Sequence, residues 1–504
     1  MRPALTVLTP VLVPVLAALA TSRPALAHGF GQTYDLPIPL WLYLFGAGAA
    51  VLVSFVPVSL LVEGGTQDPL RYPRFDLFRI GFLRSALNNR ALLFCVRLLS
   101  VALLQLVIAA GLFGEQDAGL NIVPTFAWVL WWVGFSFFVA FVGNVWPLVN
   151  PWKILFEWAE SLSRRLGANL QPGESYPKSW GVWPAVFLYA AFIWVENVFS
   201  GSATPVYIAV LAVNYSVLTW GGMVVYGKET WLRNGEVFSV FFDLLGRFAP
   251  TEVRIKNPRR CADCPGDCAA GEDGCVNCYE CFAAAPKEER ELCLRPPFVG
   301  LGRPEPVPAG GVFFVVLVLA GVAFDGLLET PVWVGLQVVT PLSRTLGLVV
   351  LPLVFFAVYL AFVGLSRLAG GGEEPLRRYA AAYVFSLVPI AVAYQVAHYY
   401  TLLLVQGQAI YRHISDPFGW GWDLFGTSDF TINAGIIGAR FVWYSQVALI
   451  VIGHVVAVYL AHAFALRLFK DHRRAIWSQA PMLVLMVMYT VFSLWILSQP
   501  LAGT

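Results

Sequence analysis

The sequence predicts an all-α, polytopic integral membrane protein, and three observations support this prediction. Of its 504 residues 58% are hydrophobic and only 13% are charged, with a mean hydropathy of +0.68. Soluble globular chains are nearer half apolar and a quarter charged. Apolar windows long enough to span a bilayer recur along the chain, and basic residues cluster in alternate loops between them. The composition excludes a disordered chain, a coiled coil and a nucleic-acid-binding domain, and it makes the lipid bilayer the first partner.

The first 27 residues are typical of a cleavable secretory signal. Arg2 precedes a short apolar run that prolines interrupt, and a polar stretch then leads to the small-residue end Ala25-Leu26-Ala27. An uncleaved first span is the alternative interpretation. Cleavage would leave His28 as an N-terminal residue outside the cytoplasm, where its amine and imidazole could chelate one metal ion together.

About ten transmembrane helices are predicted from windows of roughly 20 apolar residues. They lie near 40–62, 91–113, 126–148, 182–200, 205–226, 311–330, 345–366, 380–404, 441–466 and 480–498. This threading gives two bundles of five spans, within residues 28–226 and 309–504, joined by a cytoplasmic segment at 227–308. Both chain ends would lie outside, and an aromatic outer loop would cover 406–440.

The charges test this threading independently. Basic residues crowd the loops predicted inside, whereas the predicted outer segments of the mature chain carry only Arg344, Arg412 and Arg440. This asymmetry follows the positive-inside rule, and a miscounted span would have inverted it partway along.

Seven of the eight cysteines fall within the predicted cytoplasmic segment, and Cys95 lies alone in an apolar span as a core residue. The seven, which define an insert at 261–293, are Cys261, Cys264, Cys268, Cys275, Cys278, Cys281 and Cys293. A reducing cytoplasm disfavours disulfides and favours metal sites with such spacing.

Two metals fit the cysteine spacing, and unligated thiols are a third interpretation. Two C-x2-C pairs, Cys261/Cys264 and Cys275/Cys278, suit tetrahedral zinc. Alternatively, Cys275, Cys278 and Cys281 resemble the first three ligands of a ferredoxin-type 4Fe-4S cluster. The fourth ligand would then come from a remote cysteine, and the candidates are Cys264, Cys268 and Cys293.

A second candidate site consists of titratable residues within the spans, which are costly there and usually functional. Its predicted members are His398 and His454 from neighbouring spans, with Asp325 or Glu196. His28 or His413 would approach from the outer side. Such ligands could hold copper, zinc or iron, or the two histidines could be axial ligands to a haem. The alternative is that each histidine only hydrogen-bonds a neighbour and stabilises helix packing.

Several stretches resemble a family of bacterial polytopic membrane proteins named fenitrothion hydrolase. They are HGFGQTYDLPIPLWLYLFGAGAA, WPLVNPWKIL, AFDGLLETPVW, AHYYTLLLVQGQ, SDPFGWGWDLFGT and GHVVAVYLAH. The resemblance implies a multi-pass protein of the bacterial inner (cytoplasmic) membrane that hydrolyses an organophosphorothioate triester and releases a nitrophenol. Because standard hydrolase and nucleotide motifs are missing from the sequence, hydrolysis would need a metal-bound hydroxide. The proton acceptor would be Asp325, Glu196 or Asp416.

Three functions therefore remain open at the level of sequence. The first is an outward-facing metalloenzyme acting on a small-molecule substrate. The second is an electron-transfer protein with a cytoplasmic iron–sulfur cluster, a possible haem and a redox partner. The third is a transporter or metal permease in which the same polar residues line a path.

Overall fold

The structure is a computed structural model that describes residues 36–61, 72–168, 170, 174–257, 276–302, 307–335, 340–469 and 471–499. The predicted signal peptide and His28 lie outside the described residues. Four of the seven clustered cysteines lie outside them as well, namely Cys261, Cys264, Cys268 and Cys275.

Helices form most of the described chain. The first half contains α1 (Leu40–Leu61), α2 (Gly81–Leu87), α3 (Arg90–Phe113), α4 (Ile122–Phe141), α5 (Trp146–Val149), α6 (Pro151–Arg165), α7 (Trp183–Asn197), α8 (Pro205–Tyr226), α9 (Lys228–Asn234), α10 (Val237–Phe248) and α11 (Tyr279–Ala284). The second half contains α12 (Ala309–Leu328), α13 (Pro331–Gly335), α14 (Pro341–Ala369), α15 (Leu376–Tyr383), α16 (Val388–Val405), α17 (Ile410–Ser415), α18 (Ala439–Leu468) and α19 (His472–Ser498).

Nine helical segments of the described chain are long and apolar enough to cross a membrane. They are α1, α3, α4, α8, α12, α14, α18, α19 and the continuous 376–415 segment, which includes α16. The prediction of a helical, multi-pass membrane protein is therefore confirmed at this level.

The tenth predicted span, near 182–200, is the shorter helix α7. Its 15 residues rise only about 22 Å, whereas a bilayer core is about 30 Å thick. Pro184 stands at its first turn, and Tyr189 and Ile193 are buried along its length. Protein rather than lipid therefore surrounds much of α7, so it need not match the bilayer thickness.

Part of the segment predicted as a hydrophilic cytoplasmic stretch lies instead inside the bundle. Helix α10 has 12 residues, and its Phe241 and Phe242 are fully buried. The Phe241 ring lies 5.1 Å from that of Trp132, and the Phe242 ring lies 5.2 Å from that of Trp146. A helix this short cannot span a bilayer alone, but it can bury an apolar face within a larger bundle.

A buried carboxylate begins helix α10. Glu236 is fully buried and accepts hydrogen bonds from the backbone N–H groups of Phe238 (3.1 Å) and Ser239 (2.7 Å). The hydroxyl of Tyr215 also donates to it. These donors satisfy the carboxylate and the free N–H groups of the first helical turn together, which fixes α10 against α8.

A small antiparallel sheet, absent from the all-α prediction, combines a short strand that precedes α2 with two strands that follow α10. Its order is β1 (Phe75–Asp76), β3 (Arg290–Leu294) and β2 (Thr251–Ile255). A buried ion pair locks it to the bundle, because Arg295 donates to Glu252 at 2.7 Å and also to the carbonyl of Ala249. The end of the bundle that carries this sheet is called the sheet end below.

One hydrophobic core extends through both halves of the chain, from Ala47 to Leu497. The two predicted five-span bundles therefore share a single interior. Helices α12 and α16 are among its most enclosed parts. Both helices begin at the sheet end and end at the opposite end of the bundle. The 406–440 segment covers that opposite end, which is called the loop end below.

Candidate functional site

The centre of the candidate site is Asp325, one turn before the end of α12. Its Oδ2 atom lies 2.8 Å from Nε2 of His398 and accepts a hydrogen bond of 2.6 Å from the hydroxyl of Tyr399. His398 and Tyr399 are consecutive on α16, and their rings meet edge to face at 4.6 Å. Two adjacent side chains of one helix thus hold the carboxylate of another.

A second carboxylate joins this group through the same tyrosine. Glu196, at the end of α7, lies 3.4 Å from the Tyr399 hydroxyl and accepts a 2.8 Å hydrogen bond from Nε1 of Trp132. Glu196, Asp325, His398 and Tyr399 are called the Asp325 cluster from here on. It joins α7, α12 and α16 near the loop end.

The two carboxylates of the Asp325 cluster outnumber its single histidine. The side chains of Asp325 and His398 are only 17% and 9% exposed. Since buried charge is costly unless it is balanced, a protonated His398 can neutralise only one of the two carboxylates. A neutral cluster therefore carries another proton on Glu196 or Asp325. The Tyr399 hydroxyl, which has one hydrogen and lies between both acids, can relay it.

An unusual helix geometry accompanies the Trp132 contact. Helix α4 is π-helical from Thr125 to Phe135. In this stretch Trp128 donates to the carbonyl of Ser202 at 2.8 Å and Trp132 donates to Glu196, so both indoles bind at or beyond the end of α7. π-Helical segments occur frequently at functional sites.

Sequence reasoning missed Trp132 and Tyr399. Tyr399 directly follows His398 in a predicted span, and this adjacency was the available signal. For Trp132 the sequence offers no such signal, because it is one of three tryptophans within five residues of an apolar helix.

The structure does not bring His454 to His398. On α18, Gln446 donates to the carbonyl of Ala397, and a Cβ on Gly453 would lie 2.4 Å from the Cβ of Ala393. The two helices therefore run antiparallel, and the Gly453–Ala393 contact places His454 about 9 Å below His398 along the axis, because Ala393 lies five residues below His398 and His454 follows Gly453. The two imidazoles have different hydrogen-bond partners, Asp325 for His398 and the carbonyl of Ile450 for His454.

His454 has a local hydrogen bond instead. Its Nδ1 atom lies 2.8 Å from the carbonyl of Ile450 in the same helix and donates to it. This contact fits the interpretation of His454 as a helix-packing residue, whereas its buried Nε2 atom has no hydrogen-bond partner among the described residues.

Asp416 also lies apart from the Asp325 cluster. Its carboxylate follows α17 and accepts from the backbone N–H groups of Trp420 (3.0 Å), Gly421 (2.6 Å) and Trp422 (3.1 Å). These three bonds fold the aromatic loop at the loop end. Asp416 therefore shapes a loop rather than accepting a proton beside Asp325.

The described cysteines are divided between two faces of the sheet. Cys278 and Cys281 pack against Ile255 and Ala285 at the start of α11. Cys293 pairs with Glu252, and because side chains alternate along a strand, Glu252 and Ile255 point to opposite faces. The structure therefore does not bring Cys293 together with Cys278 and Cys281. Burial and the nearby Glu291 and Glu252 raise the pKa of the Cys293 thiol to about 11.

Within the described ranges, no group of three or more His, Cys, Asp or Glu side chains is arranged to hold a metal ion. Metal binding by the cysteine-rich insert stays a prediction, since Cys275 and its three upstream partners lie outside those ranges.

No protein-family model, curated protein or solved structure matches this chain.

Proposed function

We propose that this protein conducts protons across a membrane and that the Asp325 cluster is the proton-carrying site. One observation carries the proposal. Asp325 accepts from His398 and Tyr399, and the same Tyr399 hydroxyl reaches Glu196 within an apolar helical bundle. Chains of acids and histidines inside membrane helices are typical of proton relays in pumps and transporters.

The competing functions receive less support from the same contacts. Electron transfer through a haem would need His398 and His454 as axial ligands, but their imidazoles bond to different partners, Asp325 and the carbonyl of Ile450. A metal permease needs a cluster of ligands, and the membrane helices of the described chain contain no such group of three. Protons need only hydrogen-bonded, titratable neighbours, and these are present.

The first test measures proton entry into liposomes containing the purified protein and an internal pH-sensitive dye. A potassium diffusion potential, negative inside, drives proton uptake. We expect liposomes with the wild-type protein to acidify faster than empty liposomes, and His398→Gln to lower the protein-dependent rate by roughly 10-fold or more. The reason is that glutamine keeps a hydrogen-bonding group but cannot take up a proton.

Glu374→Gln is the matched control. Glu374 is an exposed acid that pairs with Arg378 one turn away, so its loss should leave proton uptake unchanged. Wild-type liposomes that acidify no faster than empty ones would refute the proposal, as would equal rates for wild type and His398→Gln.

Hydrolysis is a second candidate function, and the Asp325–His398 hydrogen bond favours it. A carboxylate that binds one imidazole nitrogen orients the ring and leaves the other nitrogen to act as a base. Here Nδ1 would take a proton from water as its oxygen bonds to phosphorus and a nitrophenolate leaves. This reaction matches the activity that the family resemblance implies.

Nitrophenol release from a nitrophenyl phosphorothioate triester tests this second function. Wild-type protein in lipid nanodiscs should release the coloured nitrophenolate, and His398→Gln should lower the rate by about 100-fold or more. Release at an unchanged rate in His398→Gln would exclude His398 as the base, and release no faster than in empty nanodiscs would reject hydrolysis.

A further inference from the structure

Three buried polar atoms near the Asp325 cluster have no hydrogen-bond partner among the described residues. They are the hydroxyls of Tyr189 and Tyr394 and the Nε2 atom of Gln395. The tyrosines are each 1% exposed and Gln395 is 6% exposed. Leaving a buried donor or acceptor unpaired costs about 1–3 kcal/mol. Buried groups of this kind are normally satisfied by internal water.

The two groups on α16 share the face that carries the Asp325 cluster. At 100° per residue, Tyr394, Gln395, His398 and Tyr399 fall within about 140° of each other around the helix axis. The opposite face carries Ala393 and packs against Gly453 of α18. Tyr394 and Gln395 are therefore turned towards α12 and α7, as His398 and Tyr399 are.

Helix α12 supplies the space for these groups. A Cβ on Gly326 would lie only 2.5 Å from the Tyr394 hydroxyl, so glycine allows that hydroxyl to approach beside Asp325. The Tyr394 ring also stacks on that of His398, with ring centroids 6.0 Å apart.

Tyr189 approaches from the third helix. Its ring packs against Phe241 at 5.6 Å and against Phe314 at 5.4 Å, which leaves it at the centre of the bundle. The Tyr189 ring also lies 6.3 Å from that of Trp132, whose indole donates to Glu196. Tyr189 and Tyr394 thus lie beside the Asp325 cluster, and Gln395 shares the cluster's face of α16.

We propose that Tyr189, Tyr394 and Gln395 bind internal water molecules that extend the Asp325 cluster, beside Asp325 at Tyr394 and towards the sheet end at Gln395 and Tyr189. The ligand is water, and the proposal deepens the proton-conduction function on which it rests. Gln395 lies four residues below Tyr399 on α16, which adds about 6 Å towards the sheet end, and Tyr189 lies seven residues below Glu196 on α7. Water there would give the proton a route beyond the four side chains.

Radiolytic hydroxyl-radical footprinting of the full-length protein in nanodiscs tests the water sites directly. Radicals formed from bound water modify adjacent side chains even where bulk solvent is excluded. We expect Tyr189 and Tyr394 to be modified several-fold faster than Tyr359. Tyr359 is the matched control, because it is equally buried but its hydroxyl donates to the carbonyl of Ala380 at 2.6 Å. Equal protection of all three tyrosines would overturn the proposal.

The variant Gln395→Leu connects the waters to proton uptake. Leucine fills a similar volume without a polar group, so labelling of Tyr189 and Tyr394 should fall and proton uptake should drop about 10-fold. Gln479→Leu is the control, since the buried Gln479 side chain already bonds His462 and the carbonyl of Ala475 through its two polar atoms. Unchanged labelling and uptake in Gln395→Leu would contradict the water sites.

Tyrosine labelling and proton uptake together distinguish the water sites from the proton conduction on which they rest. Fast labelling without proton uptake would support the waters and reject proton conduction. Proton uptake without labelling would retain proton conduction and reject the waters.

Discussion

Asp325→Asn is expected to lower voltage-driven proton uptake by roughly 100-fold, to near the rate of empty liposomes. Asparagine has almost the same shape and can still accept the hydrogen bond from Tyr399, so the bundle should fold. What it loses is the ability to bind and release a proton at the atom shared by His398 and Tyr399. Groups that transfer protons commonly contribute factors of 10²–10⁴ to a rate.

Asp325→Glu distinguishes the loss of a titratable carboxyl from a change in its position. It retains a titratable carboxyl but moves it by one methylene, so uptake should recover partly relative to Asp325→Asn. Thermal unfolding of both variants, followed by intrinsic fluorescence, shows whether folding is preserved. If Asp325→Asn conducts as well as the wild type while remaining folded, Asp325 is not the proton-carrying group.

Glu252→Leu is expected to destabilise the sheet by about 3–5 kcal/mol, because it removes one partner of a fully buried ion pair. Both side chains of the Arg295–Glu252 pair are inaccessible to solvent. Glu252 also accepts hydrogen bonds from Arg74 at 2.6 Å and from Tyr72 at 2.9 Å. Its loss therefore leaves two cations, Arg295 and Arg74, without their shared carboxylate. Limited proteolysis within β2 and β3, together with the unfolding temperature in detergent, measures the effect.

The double variant Glu252→Leu/Arg295→Met is the control for the buried charge. It removes both members of the inaccessible pair, so it should be markedly more stable than Glu252→Leu alone. A double variant no more stable than the single one would mean that lost packing or the lost Arg74–Glu252 contact, rather than an unpaired Arg295, causes the destabilisation.

The sequence alone determined the class of the protein and most of its helices. Apolar windows about 20 residues long can remain stable only in a bilayer, and this requirement is local to each window. The prediction failed where burial depends on other helices. Helices α7 and α10 are too short to span, and their place inside the bundle depends on aromatic neighbours such as Trp132 and Trp146.

The members of the candidate site were partly predictable from the sequence as well. Asp325, Glu196 and His398 were all predicted as costly polar residues in apolar spans, because that cost can be recognised from composition alone. Their contacts were not predictable. Asp325 and His398 are separated by 73 positions, and whether two such residues meet depends on how whole helices pack.

The tertiary structure determined which of these polar residues are in contact and which are not. His398 and His454 lie on neighbouring helices with the expected antiparallel direction, yet the contacts of Gln446 and Gly453 place them at different depths. Cys293 and Cys278 are close in sequence, yet the alternation of side chains along β2 and β3 separates them. Periodicity fixes the face a side chain takes on its own helix or strand, but only packing fixes the depth and partner that this face meets.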